Sequence, residues 1–133
     1  KEQQFVGNVA LNVAQARIDD SLQAVDAFLR DLPQYSGLQP NQVMIVIDGI
    51  RESIYQPELK TTYEDGYFAK MRAYLIKQAQ AKGFQVLDLQ PVFQKEYAKR
   101  HQKFEFINDG HWNAYGHQVV SQAIEDAGFL GNS

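Results

Sequence analysis

Apolar positions along this chain follow two alternating rhythms, which predict helix and strand in turn. Leu22, Val25, Phe28, Leu29 and Leu32 return every three or four positions, so they share one face of a helix over 21–32. Asp19, Asp20 and Ser21 precede that helix and suit its start, where side-chain oxygens accept from free N–H groups and carboxylates meet the positive end of the dipole. Pro33 follows as a stop, and 35–40 reads as a loop. Val43-Met44-Ile45-Val46-Ile47 is unbroken and β-branched, which predicts a strand covered on both faces, closed by Asp48-Gly49. Residues 50–63 read as irregular around Pro57. Tyr67, Met71, Tyr74, Leu75 and Ala79 then stripe a helix over 64–82, with Gly83 as its C-terminal cap. A second strand spans 84–89 and stops at Pro91, and a short helix follows over 92–99. The last helix spans 114–127, with Asn113 as N-cap and Val119, Val120, Ala123 and Ile124 facing inward. The opening 1–18 fits two readings. Val6, Val9, Leu11 and Val13 alternate as in a strand, whereas Ala10, Ala14 and Ala16 allow a helix.

This order predicts one α/β domain over 1–133, built on a parallel sheet with right-handed crossovers. Only two strands are clear, plus one near the N-terminus, and a parallel sheet needs both faces covered and usually more strands. The expected sheet is therefore incomplete. With 44% apolar and 22% charged residues, the composition is that of a globular domain able to bury a core. The net charge of -3 argues against a nucleic-acid partner, since Lys95, Lys99, Arg100 and Lys103 are interleaved with Glu96 and Glu105. There is no cysteine, hence no disulfide framework and no thiolate zinc site. No apolar run reaches the roughly 18 residues of a membrane span. The chain opens on Lys1 rather than Met, so a natural start upstream is expected, and the lack of a visible signal peptide says little about secretion.

Candidate chemistry concentrates in Asn108-Asp109-Gly110-His111-Trp112-Asn113. An imidazole titrates near neutrality and suits proton transfer, and a carboxylate on one ring nitrogen fixes its tautomer. In a turn before a helix, Asp109 and His111 can converge as orienting acid and general base. The same two residues can instead cap a turn and pack beside Trp112. Ligands of open α/β sheets bind beyond the carboxyl ends of the strands, which brings in Asp48 and Arg51 as substrate contacts. Arg51 can grip a carboxylate or phosphate with two N–H groups, or pair with Asp48 or Glu52. Trp112 either walls a substrate pocket or belongs to the core. His101 and His117 lack further ligands at metal spacing, so no metal or other cofactor is expected. No convincing nucleophile is visible. Of Ser21, Ser36, Ser53, Ser121 and Ser133, Ser21 reads as a helix cap, Ser53 is an outside candidate in the 50–63 loop and Ser121 falls inside a helix.

The block Asp109-Gly110-His111-Trp112-Asn113 with Gly116-His117 resembles the C-terminal part of SGNH/GDSL-type hydrolases. Its Asp-x-His-Trp spacing is that of the alginate-acetylation branch, and 43–55 is similar to the central strand and loop of SGNH-like proteins. The resemblance covers roughly 40–128. It implies a three-layer parallel sheet with flanking helices in flavodoxin-like topology, His111 as general base and Asp109 as its partner. It also implies a small-molecule or glycan ester as substrate, and it leans towards an extracytoplasmic setting. The Gly-Asp-Ser block that carries the family's nucleophile and the Gly-x-Asn-Asp block are both missing. The chain is therefore expected to be the later portion of an SGNH-like serine ester hydrolase or O-acyltransferase, with the serine on an upstream segment or a second chain. The alternatives are a non-catalytic binding module and a subunit whose sheet is completed by a partner.

Overall fold

The computed structural model describes residues 5–6 and 9–131. It opens on an antiparallel pair, β1 (Phe5–Val6) against β2 (Val9–Ala10), so part of the ambiguous opening stretch is strand. Residues 1–4, 7 and 8 of that stretch lie outside the described residues.

Helix α1 (Gln15–Ser36) begins earlier than the apolar stripe suggests and runs through Pro33. A proline so close to the end removes one N–H and leaves the rest of the helix intact. The true stop is Gly37, whose φ of 70° takes the chain left-handed while its N–H donates to the Pro33 carbonyl at 3.0 Å. Leu29 is 1% exposed and Phe28 is 50% exposed, so the buried stripe is narrower than expected.

Strand β3 (Met44–Ile47) follows. The stretch expected to be irregular holds two short helices, α2 (Glu52–Tyr55) and α3 (Lys60–Glu64), around a 3₁₀ turn at Pro57–Leu59. Helix α4 (Tyr67–Ala81) starts after a break at Asp65-Gly66. It closes in a Schellman motif: Gly83, with φ of 89°, donates to Gln80, and Phe84 donates to Ala79, each at 3.0 Å. Strand β4 (Gln85–Asp88) pairs parallel to β3, from Met44 opposite Gln85 to Ile47 opposite Asp88. Helix α5 (Leu89–Arg100) begins at once, with Asp88 as N-cap accepting from the Gln90 N–H at 3.0 Å. Pro91 therefore sits in a first helical turn, where a missing N–H is harmless, rather than ending a strand. A hairpin of β5 (Glu105–Phe106) and β6 (Asp109–Trp112) then leads into α6 (Ala114–Asp126).

Alternation along β3 and β4 splits the core in two. Val43, Ile45 and Val86 pack with Leu29, Ala79 and Phe84 from α1, α4 and the turn before β4. Val46 and Leu87 point the other way, into Ile54, Leu89, Phe93, Phe104, Val119 and Val120. Helices thus lie on both faces of one parallel pair, an α/β arrangement. The sheet is narrow: among the described residues there are three two-stranded sheets, and neither outer edge of the β3–β4 pair has a strand partner. All four residues of β3 are consequently only half-buried, where the sequence suggested full cover. Among the described residues no helix is long and apolar enough to cross a membrane.

Candidate functional site

The last turn before α6 sets the site. Asn113 caps the helix through Oδ1, which accepts from the Gly116 N–H at 2.9 Å, as its position before the apolar stripe suggested. Its Nδ2 donates to the carbonyls of Lys103 and Glu105, at 3.1 and 2.9 Å, and its backbone N–H donates to Phe104 at 2.8 Å. One asparagine thereby ties the hairpin to the helix. Gly116 lies so close beneath the Phe104 carbonyl that a methyl group there would collide with it. Phe104 itself is fully buried between Phe93 and Tyr115, with ring centroids at 4.5 and 5.3 Å.

Asp109 and His111 lie on β6 of this hairpin, not in the open turn expected. Residues two apart on a strand face the same side. One carboxylate oxygen of Asp109, Oδ1, meets both the His111 backbone N–H at 2.9 Å and the ring Nδ1. These contacts, the backbone one first, hold the Asp109 carboxyl below the usual carboxylate range. The His111 side chain is 89% exposed and its ring has no further partner among the described residues. A carboxylate at Nδ1 favours the tautomer that carries its proton there, and in that tautomer Nε2 is free to act as an acceptor. This geometry can accept a proton from a hydroxyl and return it.

Behind the pair, Arg51 anchors the hairpin to the loop after β3. Its guanidinium donates to Glu105 at 2.8 Å, Asp48 at 3.2 Å and the Gly110 carbonyl at 2.7 Å. Glu105, 54 residues away, takes the place the sequence gave to Glu52. The Arg51 side chain is only 12% exposed and that of Glu105 only 18%. Glu105 also accepts from the Tyr55 hydroxyl at 2.7 Å, and burial above all raises the pKa of that phenol, so it stays protonated. Asp48 accepts from the Trp112 indole N–H at 3.2 Å. Trp112 is half-buried, set edge-on to Phe93 and His117. Asp48, Arg51 and Trp112, expected as substrate contacts, are thus bonded to one another and to the hairpin. Sequence reasoning missed Glu105, Tyr55 and Gln90. The last clamps the same loop, accepting from the Ile50 N–H at 2.6 Å and donating to Ser53 at 3.1 Å.

None of the described serines meets His111. Ser21 is a correction to the cap reading: it lies inside α1, donates to the Arg17 carbonyl at 2.7 Å and shares a hydrogen bond of 2.5 Å with Tyr67. Ser53 donates to the Ile50 carbonyl at 2.7 Å, Ser36 lies at the end of α1, and Ser121 is exposed on α6. Ser133 lies outside the described residues. His101 and His117 are exposed and far apart in role, the first ending α5 in a left-handed turn and the second set edge-on to Trp112. A groove of about 500 Å³ runs between α5 and α6, and its lining does not include His111.

The family model described as an SGNH hydrolase-like domain, acetyltransferase AlgX, matches residues 5–128. No curated protein and no solved structure matches the chain. The matched span holds the paired strands, the hairpin with its acid and imidazole, and the closing helix. On that extent, the chain belongs to the SGNH hydrolase-like domain family of the acetyltransferase AlgX.

Proposed function

We propose that this domain carries the proton-transfer half of an SGNH-like serine ester hydrolase or O-acyltransferase acting on a small-molecule or glycan ester. His111 is the general base, Asp109 orients it, and Asp48, Arg51 and Trp112 border the site and fix the hairpin that presents the pair. The nucleophilic serine comes from chain outside these residues or from a second chain. The observation that carries this reading is the imidazole of His111, held at Nδ1 by Asp109 and open to solvent on its other side.

In this mechanism Nε2 of His111 takes the proton from the serine hydroxyl as its oxygen attacks the ester carbonyl. The imidazolium, steadied by Asp109, returns that proton to the departing alcohol. An incoming alcohol or water then loses its proton to the same nitrogen as its oxygen attacks the acyl-serine, and the imidazolium passes that proton to the serine oxygen as the ester bond to it breaks. The bare edges of the β3–β4 pair favour completion of a wider three-layer sheet by the chain that brings the serine.

A fluorophosphonate probe applied to the protein at its natural full length tests this. The modified serine, located by mass spectrometry, is expected outside residues 1–133, and His111→Ala should slow labelling by about a hundredfold or more. Labelling of Ser21 or Ser53, or undiminished labelling of the histidine variant, would remove His111 and Asp109 from the chemistry.

A further inference from the structure

A second, smaller cavity lies beyond the carboxyl ends of β3 and β4, lined by residues of the segments that follow them. It encloses about 150 Å³, with Ile50, Ile54 and Ala69 among its apolar lining and Tyr63, Glu64 and Arg72 among its polar lining. From these residues we infer a binding site for a small monocarboxylate, a function separate from acyl transfer.

Two buried polar atoms on residues that line this cavity have no partner. Tyr63 is 1% exposed, yet its hydroxyl makes no hydrogen bond, and the same holds for Nε of Arg72. A buried donor left unpaired costs about 1–3 kcal/mol. Two such donors on one cavity call for an occupant that accepts from both. Burial, with the charge of Glu52 adding to it, raises the pKa of Tyr63, so the phenol keeps its proton and donates. The Nε–H of a guanidinium can only donate. The occupant therefore presents oxygen lone pairs.

Charge and volume narrow it further. Arg72 spends its Nη2 on Asp88, and Lys60 at the rim lies 3.7 Å from Glu64. Glu64 lines the cavity as well, and no cation besides Arg72 and Lys60 does, so a dianionic phosphoryl group fits poorly and a single carboxylate sharing the Arg72 guanidinium with Asp88 is the most charge the site takes. The volume equals that of about five waters, room for an acid of roughly two to four carbons whose alkyl part meets Ile50, Ile54 and Ala69. The Ser53 hydroxyl and the Gln90 amide are already bonded to each other and to Ile50, so they shape the wall and do not compete.

The test is an amide ¹H–¹⁵N titration of the chain with sodium acetate, with sodium chloride as control. Acetate should give saturable shifts at Ile50, Ser53, Tyr63 and Arg72 that chloride does not. Tyr63→Phe keeps the buried ring and should weaken acetate by about tenfold or more, the loss of one hydrogen bond to a charged group. Arg72→Lys keeps the charge toward Asp88, removes the Nε donor, and should weaken acetate in the same direction. Absent shifts, shifts shared with chloride, or unchanged affinity in both variants would overturn the assignment and leave the cavity to water.

Discussion

Replacing Arg51 by methionine should loosen the hairpin that carries Asp109 and His111 more than any other single change outside the hydrophobic core. The guanidinium makes three hydrogen bonds, and Met keeps most of the stem volume, so packing is nearly conserved while the charge is lost. Glu105 would retain only the Tyr55 hydroxyl as a side-chain partner, at a position 18% exposed. Removing one member of a fully buried pair costs about 3–5 kcal/mol. The Asp48 side chain is 43% exposed and can rehydrate, which lowers the expected loss to about 2–3 kcal/mol. Glu105→Gln alone keeps an acceptor for Tyr55 and should cost about 1–2 kcal/mol. The double variant should be less destabilised than the sum, with a coupling of about 1–2 kcal/mol, because the second change removes a partner already lost. Urea unfolding followed by far-UV circular dichroism gives all four corners of the cycle. A coupling below about 0.5 kcal/mol, within the range of independent sites, would refute the bridge as the hairpin's anchor.

Gly116→Ala should destabilise by about 1–3 kcal/mol in thermal unfolding, although alanine is the better helix former, because its methyl group would strike the Phe104 carbonyl and come within 3.0 Å of Trp112 Cβ; a rise in melting temperature would show that the hairpin yields easily. For Asp109 the native pKa is depressed, so its contribution is present above the unfolded-state pKa and fades as pH falls through the native value. The stability gap between wild type and Asp109→Asn should therefore narrow on acidification through the carboxylate range, and a gap that widens would reverse the assigned direction.

What could be read from the residues was whatever depends on near neighbours. The Val43 to Ile47 run, the Asn113 cap and the Gly83 stop each act within a few positions, and all three stand where their local chemistry puts them. Pro33 and Pro91 mislead for local reasons, one lying close to a helix end and the other in a first helical turn, but the other misreadings trace to partners distant along the chain. Ser21 follows every rule for a helix cap, yet Tyr67, 46 residues on, bonds it inside a longer helix. The β5–β6 hairpin has too few apolar residues to show alternation. It exists because Asn113 holds the Lys103 and Glu105 carbonyls and Arg51 reaches across to Gly110. Of the site, the Asp109–His111 pairing was legible because it spans two positions, whereas Glu105 and Tyr55 were hidden because nothing nearby marks them.

The acid–imidazole unit has a modular character. Its internal bonds close within three consecutive residues, through one oxygen serving both a main-chain and a ring nitrogen. Where it is aimed, by contrast, is decided by a distant guanidinium gripping the glycine in its middle. Mutation can therefore steer the unit without dismantling it, by altering residues around Arg51 and leaving 109–111 untouched. Change in where the pair points has an open route there, with the pair itself inherited whole.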